Sequence, residues 1–390
     1  MNNSAMCCGC GSCALVCPQK CISMTEDRAG FKVPQVEAQR CVGCNACERV
    51  CPVLNYRTGS GPDRTAYAAY AKEPETRFQG SSGGMFGVMA KTILKDGGVV
   101  YGAAFDGELK LRCTSARTEE ELVPLYKSKY LQSDLGDSFS EIESYLKEGR
   151  KVLFVATPCQ VHALRRFLKR EYDELTTIDF LCHGVPSQSF FDRCREYEEQ
   201  KNGIRILEYQ FRAKKKNGAT PHYYRVVYEK RGKTRSKIRL YTKSPFYLAF
   251  QKYLSLRESC YHCRFAYSNR CSDITIGDFH EIDRYVSGMN RFDGVSTVVV
   301  HTEKGAKLWA SVSEETVNQK VDLPLLLSNR ELMCGATPKP PRQEEFVKDL
   351  SELSMKKLVD KYLDPRREYS KSLYYALPKW ARNVIKKVVG

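Results

Sequence analysis

At 390 residues the chain is long for one average domain, and length alone predicts two or three. Hydrophobic residues at 42% and charged residues at 28% sit near the globular norm, which excludes a disordered, collagen-like or coiled-coil chain. The 62 basic against 46 acidic residues give +16, a charge that attracts anionic partners without naming one. No uncharged apolar run approaches the ~18 residues of a membrane span. The N-terminus has no basic and apolar leader, so a cytoplasmic location is expected. Cysteine is the outlier: eighteen in total, ten of them between Cys7 and Cys51. In a reducing compartment such a cluster holds metal.

The first run reads Cys7-x2-Cys10-x2-Cys13-x3-Cys17-Pro18. The second reads Cys41-x2-Cys44-x2-Cys47-x3-Cys51-Pro52. This doubled run is the two-cluster bacterial ferredoxin pattern, in which the fourth cysteine of each run ligates the other cluster. Cys7, Cys10, Cys13 and Cys51 then hold one 4Fe-4S cluster, and Cys41, Cys44, Cys47 and Cys17 the other. Zinc knuckles usually split two CxxC pairs by a longer loop, which argues against zinc. Gly9, Gly11 and Gly43 allow the tight turns that wrap a cubane. Cys8 and Cys21 do not fit the ligand spacing and read as buried spare thiols. A small α+β dicluster ferredoxin domain is expected over residues 1–56.

Residues 56–64 are a linker by composition. Beyond it the pattern is α/β. Strands are expected at 65–71, 99–105, 151–156 and 175–181. Helices are expected at 85–95, 138–147, 159–169 and 187–200. Such alternation predicts a mostly parallel sheet with covering helices. From Arg205 the period shifts, and 223–229 with 236–242 read as a hairpin around Arg231-Gly232-Lys233. Between Arg212 and Lys243 lie twelve basic residues and one acidic, Glu229. This basic hairpin, including Lys214, Lys215 and Lys216, is expected to serve an acidic redox partner or the anionic tail of a cofactor. A strand at 295–301, a helix from Gly305 and a helical, basic tail over 340–390 complete the chain. The remaining divisions are expected at 65–150 and 151–330.

Ser81-Ser82-Gly83-Gly84 opens a helix. It reads either as a phosphate cradle or as a serine N-cap with glycines for close packing. Thr157-Pro158-Cys159-Gln160 and Cys182-His183-Gly184-Val185-Pro186 each follow a buried strand. They therefore share the carboxyl edge of one sheet, where α/β proteins bind ligands. Cys260-x2-Cys263-x7-Cys271 adds three thiols. With Cys159 and Cys182 there are five candidates for four metal-ligand positions.

These motifs, with Lys127-Ser128-Lys129-Tyr130-Leu131-Gln132-Ser133, Asp179-Phe180-Leu181, Cys271-Ser272-Asp273-Ile274 and Gly277-Asp278-Phe279, resemble the coenzyme F420 hydrogenase/dehydrogenase beta-subunit family. The likeness spans about 65–307. It implies a flavin, FAD or FMN, and a third 4Fe-4S cluster in the body. Ser81, Ser82, Gly83, Gly84, Lys129, Tyr130, Ser133 and Thr157 match the flavin side. Cys159, Cys182, Cys260 and Cys263 match the cluster ligands. Cys271 departs from the family pattern and is an alternative to Cys159. His280 stands where Trp-like residues are common.

The function so implied is electron transfer between a hydride donor or acceptor and one-electron carriers. The hydride partner is deazaflavin F420, a nicotinamide or an organic substrate. Ferredoxin or a partner oxidoreductase subunit is the expected partner. The alternative is a flavin-free adaptor for another enzyme. A nucleic-acid role, suggested by Tyr223, Tyr224 and Tyr228 among basic residues, is disfavoured by the redox motifs. The tail after Pro378 carries Trp380, Val384, Ile385 and Val388 on one helical stripe. It reads as a packed terminal helix or as a peripheral membrane contact.

Overall fold

The cysteine-rich N-terminus folds around an antiparallel hairpin, β1 (Ile22–Glu26) and β2 (Lys32–Val36). One-turn helices Ser12–Leu15 and Ala46–Arg49 flank it. In the hairpin loop Asp27 Oδ1 accepts from the N–H groups of Ala29 at 2.9 Å and Phe31 at 3.0 Å, closing the turn. The computed structural model describes residues 4–56, 64–215, 222–328 and 335–364, with Leu377 and Ala381. They fall in two compact units: 1–188 with 256–338, and 189–255 with 339–390.

The first unit also contains one eight-stranded sheet. Its strands are β3 (Thr65–Ala71), β4 (Val99–Phe105), β5 (Leu111–Ala116), β6 (Val152–Val155), β7 (Leu175–Phe180), β11 (Ile274–Asp278), β12 (Ser296–Val300) and β13 (Thr316–Val321). The second unit holds β8 (Arg205–Gln210), β9 (Tyr223–Lys230) and β10 (Lys233–Leu240). The large sheet runs β13-β3-β12-β11-β7-β6-β4-β5. Its centre, β11-β7-β6-β4, is parallel and its flanks are antiparallel. Segments 65–150 and 151–330 thus both contribute to one sheet, but residues 189–255 within the second segment belong instead to the second unit, together with 339–390.

Side chains alternate faces along a strand, so neighbours feed two cores. Val100 and Leu153 pack with Met85, Met89 and Trp309 on one side. Val99, Val152 and Phe154 pack with Phe139, Ile142 and Leu164 on the other. Helices Met85–Lys95 and Glu303–Val312 therefore cover one face, and Ser138–Lys147 and Pro158–Leu168 the other. Because β6 and β7 are parallel, the loops that follow them leave from the same edge.

A buried ionic network braces β7 and β11. Asp273 accepts from the backbone N–H of Thr177 at 2.8 Å and from Thr302 Oγ1 at 2.7 Å, and pairs with Arg165 at 3.2 Å. Buried Asp179 pairs with buried Arg270 at 3.4 Å. Each charge is compensated, which burial demands.

In the second unit β8, β9 and β10 form an antiparallel sheet, one strand more than the expected hairpin. Arg231 and Gly232 both have positive φ, 53° and 69°, the two-residue turn whose twist suits a hairpin. The core is aromatic, with Phe190, Phe191, Tyr209, Phe211 and Phe246 in mutual ring contact. Tyr224 is fully buried there and Tyr223 is buried too, so neither ring is displayed for base stacking. Lys214 is also buried, against the expectation of a solvent-facing cation. Strand β10 keeps Lys233, Arg235 and Lys237 exposed. Lys216 and the amphipathic tail after Pro378 lie outside the described residues. No helix among the described residues is long and apolar enough to cross a membrane.

Glu198 is buried in this unit, and burial pushes its carboxyl up to about 7. An acid with a raised folded-state pKa costs stability as pH rises from its unfolded value through its folded one. Glu198→Gln should therefore raise the Tm at pH 8 and change it little at pH 4. Calorimetry at the two pH values checks this.

Candidate iron–sulfur and flavin site

The two N-terminal cysteine loops have matched backbones. Gly9 and Gly43, each between the first and second cysteine of a run, have φ of 66° and 68°. Gly11 and Asn45, each between the second and third, have φ of 75° and 54° and cap the one-turn helices. Asparagine is the side chain that best tolerates this left-handed conformation in place of glycine. The folding places Cys51 beside the first run and Cys17 near Cys41 of the second. Cys51 lies close enough to Cys7 and Cys13 for its charge to raise both thiols. Cys17 and Cys41 both lie against Cys21, and Cys41 also lies near Cys47. Burial pushes Cys13 up to about 12. Cys10 is instead lowered to about 6, chiefly by the hydrogen bond from Cys8, and a bound metal would deprotonate its thiol ligands outright.

Four body cysteines meet in the same way. Cys159 begins the helix Pro158–Leu168, behind a Thr157–Gln160 capping box. Cys182 follows β7. Gly184, at φ 112°, brings that loop so close to Cys260 that an added Cβ would stand 3.0 Å from the Cys260 Cβ. Cys260 and Cys263 lie on the single-turn segment after Arg257. Burial pushes Cys182 to about 12 and Cys263 to about 11, and the charge of Cys159 raises both further. Cys260 is raised by burial and then by Cys182, Cys263 and Cys159.

Cys271 sits just before β11, beside Arg165, Asp179 and Asp273, and is not among the principal charges that raise Cys182, Cys260 or Cys263, although Tyr56 is in reach of both Cys271 and Cys263. Of the five body thiols, the fold gathers Cys159, Cys182, Cys260 and Cys263.

Cys8 and Cys21 are buried, as spare thiols should be. Cys8 has a position of its own: it hydrogen-bonds the thiols of both Cys10 and Cys159. One residue thus touches the N-terminal quartet and the body quartet.

Arg257 and Gln132 hold that junction. The Arg257 guanidinium donates to the carbonyls of Cys7 at 3.1 Å and Lys32, and to Gln132 Oε1 at 3.2 Å. Gln132 Nε2 donates to the Cys8 carbonyl at 3.0 Å, and Ser259 Oγ to the Cys7 carbonyl at 3.1 Å. A Cβ at Gly9 would lie 2.4 Å from Arg257 Nη2 and 2.6 Å from Gln132 Nε2, so a side chain there would push the clasp aside. Sequence reading passed over Arg257, because a lone arginine before a cysteine pair carries no spacing signal. Gln132 lay within a recognised motif, but its acceptor is in another segment.

The segment Lys127–Ser133 joins the Ser81–Gly84 loop to the body cysteines. At one end the Ser128 N–H donates to Ser81 Oγ at 2.7 Å. At the other Gln160 Nε2 donates to Ser133 Oγ at 3.1 Å. Five residue steps span at most ~18 Å, which bounds the separation of the two loops. Lys129 Nζ donates to the carbonyls of Pro124 at 2.7 Å and Tyr126 at 2.8 Å. Burial and the neighbouring Lys127 pull its pKa down to about 7, and no carboxylate pairs with it among the described residues. Tyr130 is half-buried in the same segment.

Gly83 has a different reason. A Cβ there would lie 2.4 Å from the Ala69 carbonyl oxygen and 2.8 Å from the Ser296 nitrogen. Its N–H donates to Ser296 Oγ at 2.9 Å, and Ser82 Oγ donates to the Val295 carbonyl at 2.7 Å. The close-packing reading therefore explains Gly83. Gly83→Val is expected to destabilise the sheet whether or not a ligand binds. Gly84 at φ 87° lies against the Thr76 and Arg77 backbone and caps the helix Met85–Lys95.

A cavity of about 610 Å³ opens at the amino end of the sheet. Arg49, His162, Arg165, Arg166, Lys169 and Arg170 line it with Glu171 and Cys271. His162 stacks on Tyr56, and burial lowers its pKa, so the basic character comes from arginine and lysine.

This donor set and its sheet-edge setting define an iron–sulfur protein of the oxidoreductase class. A 4Fe-4S dicluster domain model matches residues 6–55. Models for the N-terminal and C-terminal parts of the coenzyme F420 hydrogenase/dehydrogenase beta subunit match residues 66–138 and 149–323. The chain belongs to that family, whose members are oxidoreductase subunits. A solved structure of the F420-reducing [NiFe] hydrogenase complex from Methanosarcina barkeri, derivatized with xenon, matches 79% of this chain and 94% of that chain. The identity is 15% and the TM-score 0.43. A search of curated proteins gave no match.

Arg257→Leu removes the clasp while keeping apolar bulk. It should loosen the Cys7–Cys10 loop and lower iron by about four atoms per chain after anaerobic reconstitution, one cubane's worth. The charge-preserving Arg257→Lys should recover part of the loss, as assayed by iron and acid-labile sulfide.

Proposed function

We propose that this chain is an iron–sulfur flavoprotein that passes electrons between a two-electron partner and one-electron carriers. Three 4Fe-4S clusters would be held by Cys7, Cys10, Cys13 and Cys51; by Cys17, Cys41, Cys44 and Cys47; and by Cys159, Cys182, Cys260 and Cys263. A flavin, FAD or FMN, supplies the exchange of an electron pair for single electrons. Lys129, Ser81–Gly84 and the Tyr130–Ser133 stretch would border it, with Thr157 fixing the Cys159 turn.

The observation that carries this reading is the contact of Cys8 with Cys10 and Cys159, which puts two buried thiol quartets side by side. Isolated metal sites need no such adjacency, whereas an electron path does. The chain's own residues do the positioning. Arg257 and Gln132 fix the first loop against the body, and Gln160 fixes Ser133 against the Cys159 turn. Family membership favours F420, a nicotinamide or an organic substrate as the two-electron partner. A ferredoxin or a second oxidoreductase subunit is favoured as the one-electron partner. The described cysteines are free thiols, which supports a cytoplasmic setting.

Anaerobic reconstitution should give about twelve iron atoms and one flavin per chain. Cys260→Ser with Cys263→Ser should lower iron to about eight, whereas Cys271→Ser should keep about twelve. Loss of iron in the Cys271 variant, with none in the double variant, would refute the ligand set. Lys129→Met should lower bound flavin and leave iron unchanged. Full iron with no flavin in the parent protein would instead assign the adaptor role.

A further inference from the structure

The cysteines of the second N-terminal loop differ from the other ligand sets in exposure. Cys41 and Cys44 are exposed, and Val42 between them is 64% exposed. Leu54 nearby in sequence is 58% exposed. The other two quartets consist of buried or half-buried thiols.

Hydrogen bonds join this exposed loop to the basic cavity. The Arg49 guanidinium donates to the Cys44 carbonyl at 2.8 Å. The Arg49 carbonyl in turn accepts from Arg166 Nη2 at 3.1 Å. Arg166 continues through the helix Pro158–Leu168 to Lys169 and Arg170 on the cavity wall.

The charge on that wall is largely uncompensated. Arg165 is held by Glu171 at 2.7 Å and by Asp273 at 3.2 Å. Arg49, Arg166, Lys169 and Arg170 form no ion pair among the described residues. Lys169 and Arg170 are exposed, and Arg170 lies over the Tyr172 ring at 4.3 Å.

We infer that the Cys41–Cys44 loop and the basic wall beside it form the docking surface for an acidic one-electron carrier protein. Val42 is the apolar centre, and Arg49, Arg166, Lys169 and Arg170 are the basic flank. Transient redox contacts are small, and charge around an apolar centre sets their encounter rate and orientation. A carrier seated here would lie against the one cysteine loop that reaches the surface. The inference rests on the proposed electron-transfer function and names where its one-electron partner binds. It also moves that partner from the basic hairpin, where sequence alone placed it, to the first unit.

The test is binding. The reconstituted full chain is titrated with a small acidic ferredoxin at low and moderate salt. Lys169→Glu with Arg170→Glu should weaken binding by at least tenfold at low salt and flatten the salt dependence, because exposed charges are screened within ~10 Å at 0.1 M. The neutral pair, Lys169→Ser with Arg170→Ser, should fall between. Lys233→Glu with Lys237→Glu on β10 carries the same change in net charge and should weaken binding less than twofold. Equal weakening by both reversed pairs, or none by the first, overturns the proposal. So does a saturable pyrophosphate site lost in the Lys169/Arg170 variant while ferredoxin binding is unchanged. Iron counted on the same samples reports separately on the electron-transfer reading.

Discussion

A buried guanidinium that finds carbonyl oxygens instead of a carboxylate holds this molecule's centre together. Arg257 is 3% exposed and meets the carbonyls of Cys7 and Lys32 and the amide of Gln132. Leaving such a charge unsatisfied in the interior would cost several kcal/mol. The N-terminal loop is therefore held in place to satisfy it. Its positive charge also lowers the Cys7 thiol, favouring the ligating form of a residue that burial otherwise pushes up. One side chain thus serves both the packing of the cysteine module and the electrostatics of its first site.

From that clasp the cysteine path can be followed by contact. Cys10 meets Cys8, and Cys8 meets Cys159. Cys159 belongs with Cys182, Cys260 and Cys263, and the Ser133–Gln160 bond ties that quartet to the segment leading toward Ser81. The sheet supplies the geometry. Parallel β6 and β7 must release their loops on one side, so Cys159 and Cys182 meet there. Cys271 comes just before β11, whose first residue Ile274 is level with Ile178 of β7. Its neighbours are ions that brace the sheet, and it borders the basic cavity.

Charge shows the same division between what is local and what is not. The basic stretch 212–243 is conspicuous in sequence, yet it folds as a three-stranded sheet over an aromatic core, with Lys214 buried. Arg49, Arg166, Lys169 and Arg170 are inconspicuous in sequence because 117 positions separate the first two from one another. Arg166 Nη2 donates to the Arg49 carbonyl, and the four cations line one cavity.

The sequence by itself determined what local chemistry determines. Eight cysteines at ferredoxin spacing, the paired left-handed turns and the strand-helix alternation are all read within a few residues. The strands 65–71 and 99–105 and the helices 85–95 and 138–147 fall where periodicity places them. The Arg231-Gly232 turn does as well, because a two-residue hairpin demands positive φ. Only the tertiary structure brought Cys159, Cys182, Cys260 and Cys263 together, gave Gly83 a packing role against Ala69, and put Cys8 between two quartets. It alone disclosed Arg257, since a hydrogen bond spanning 250 positions leaves no period or spacing in the chain. Those outcomes depend on which distant segments the sheet edge brings together, and pairing across a sheet is set by the register of whole strands and not by any residue's neighbours in sequence.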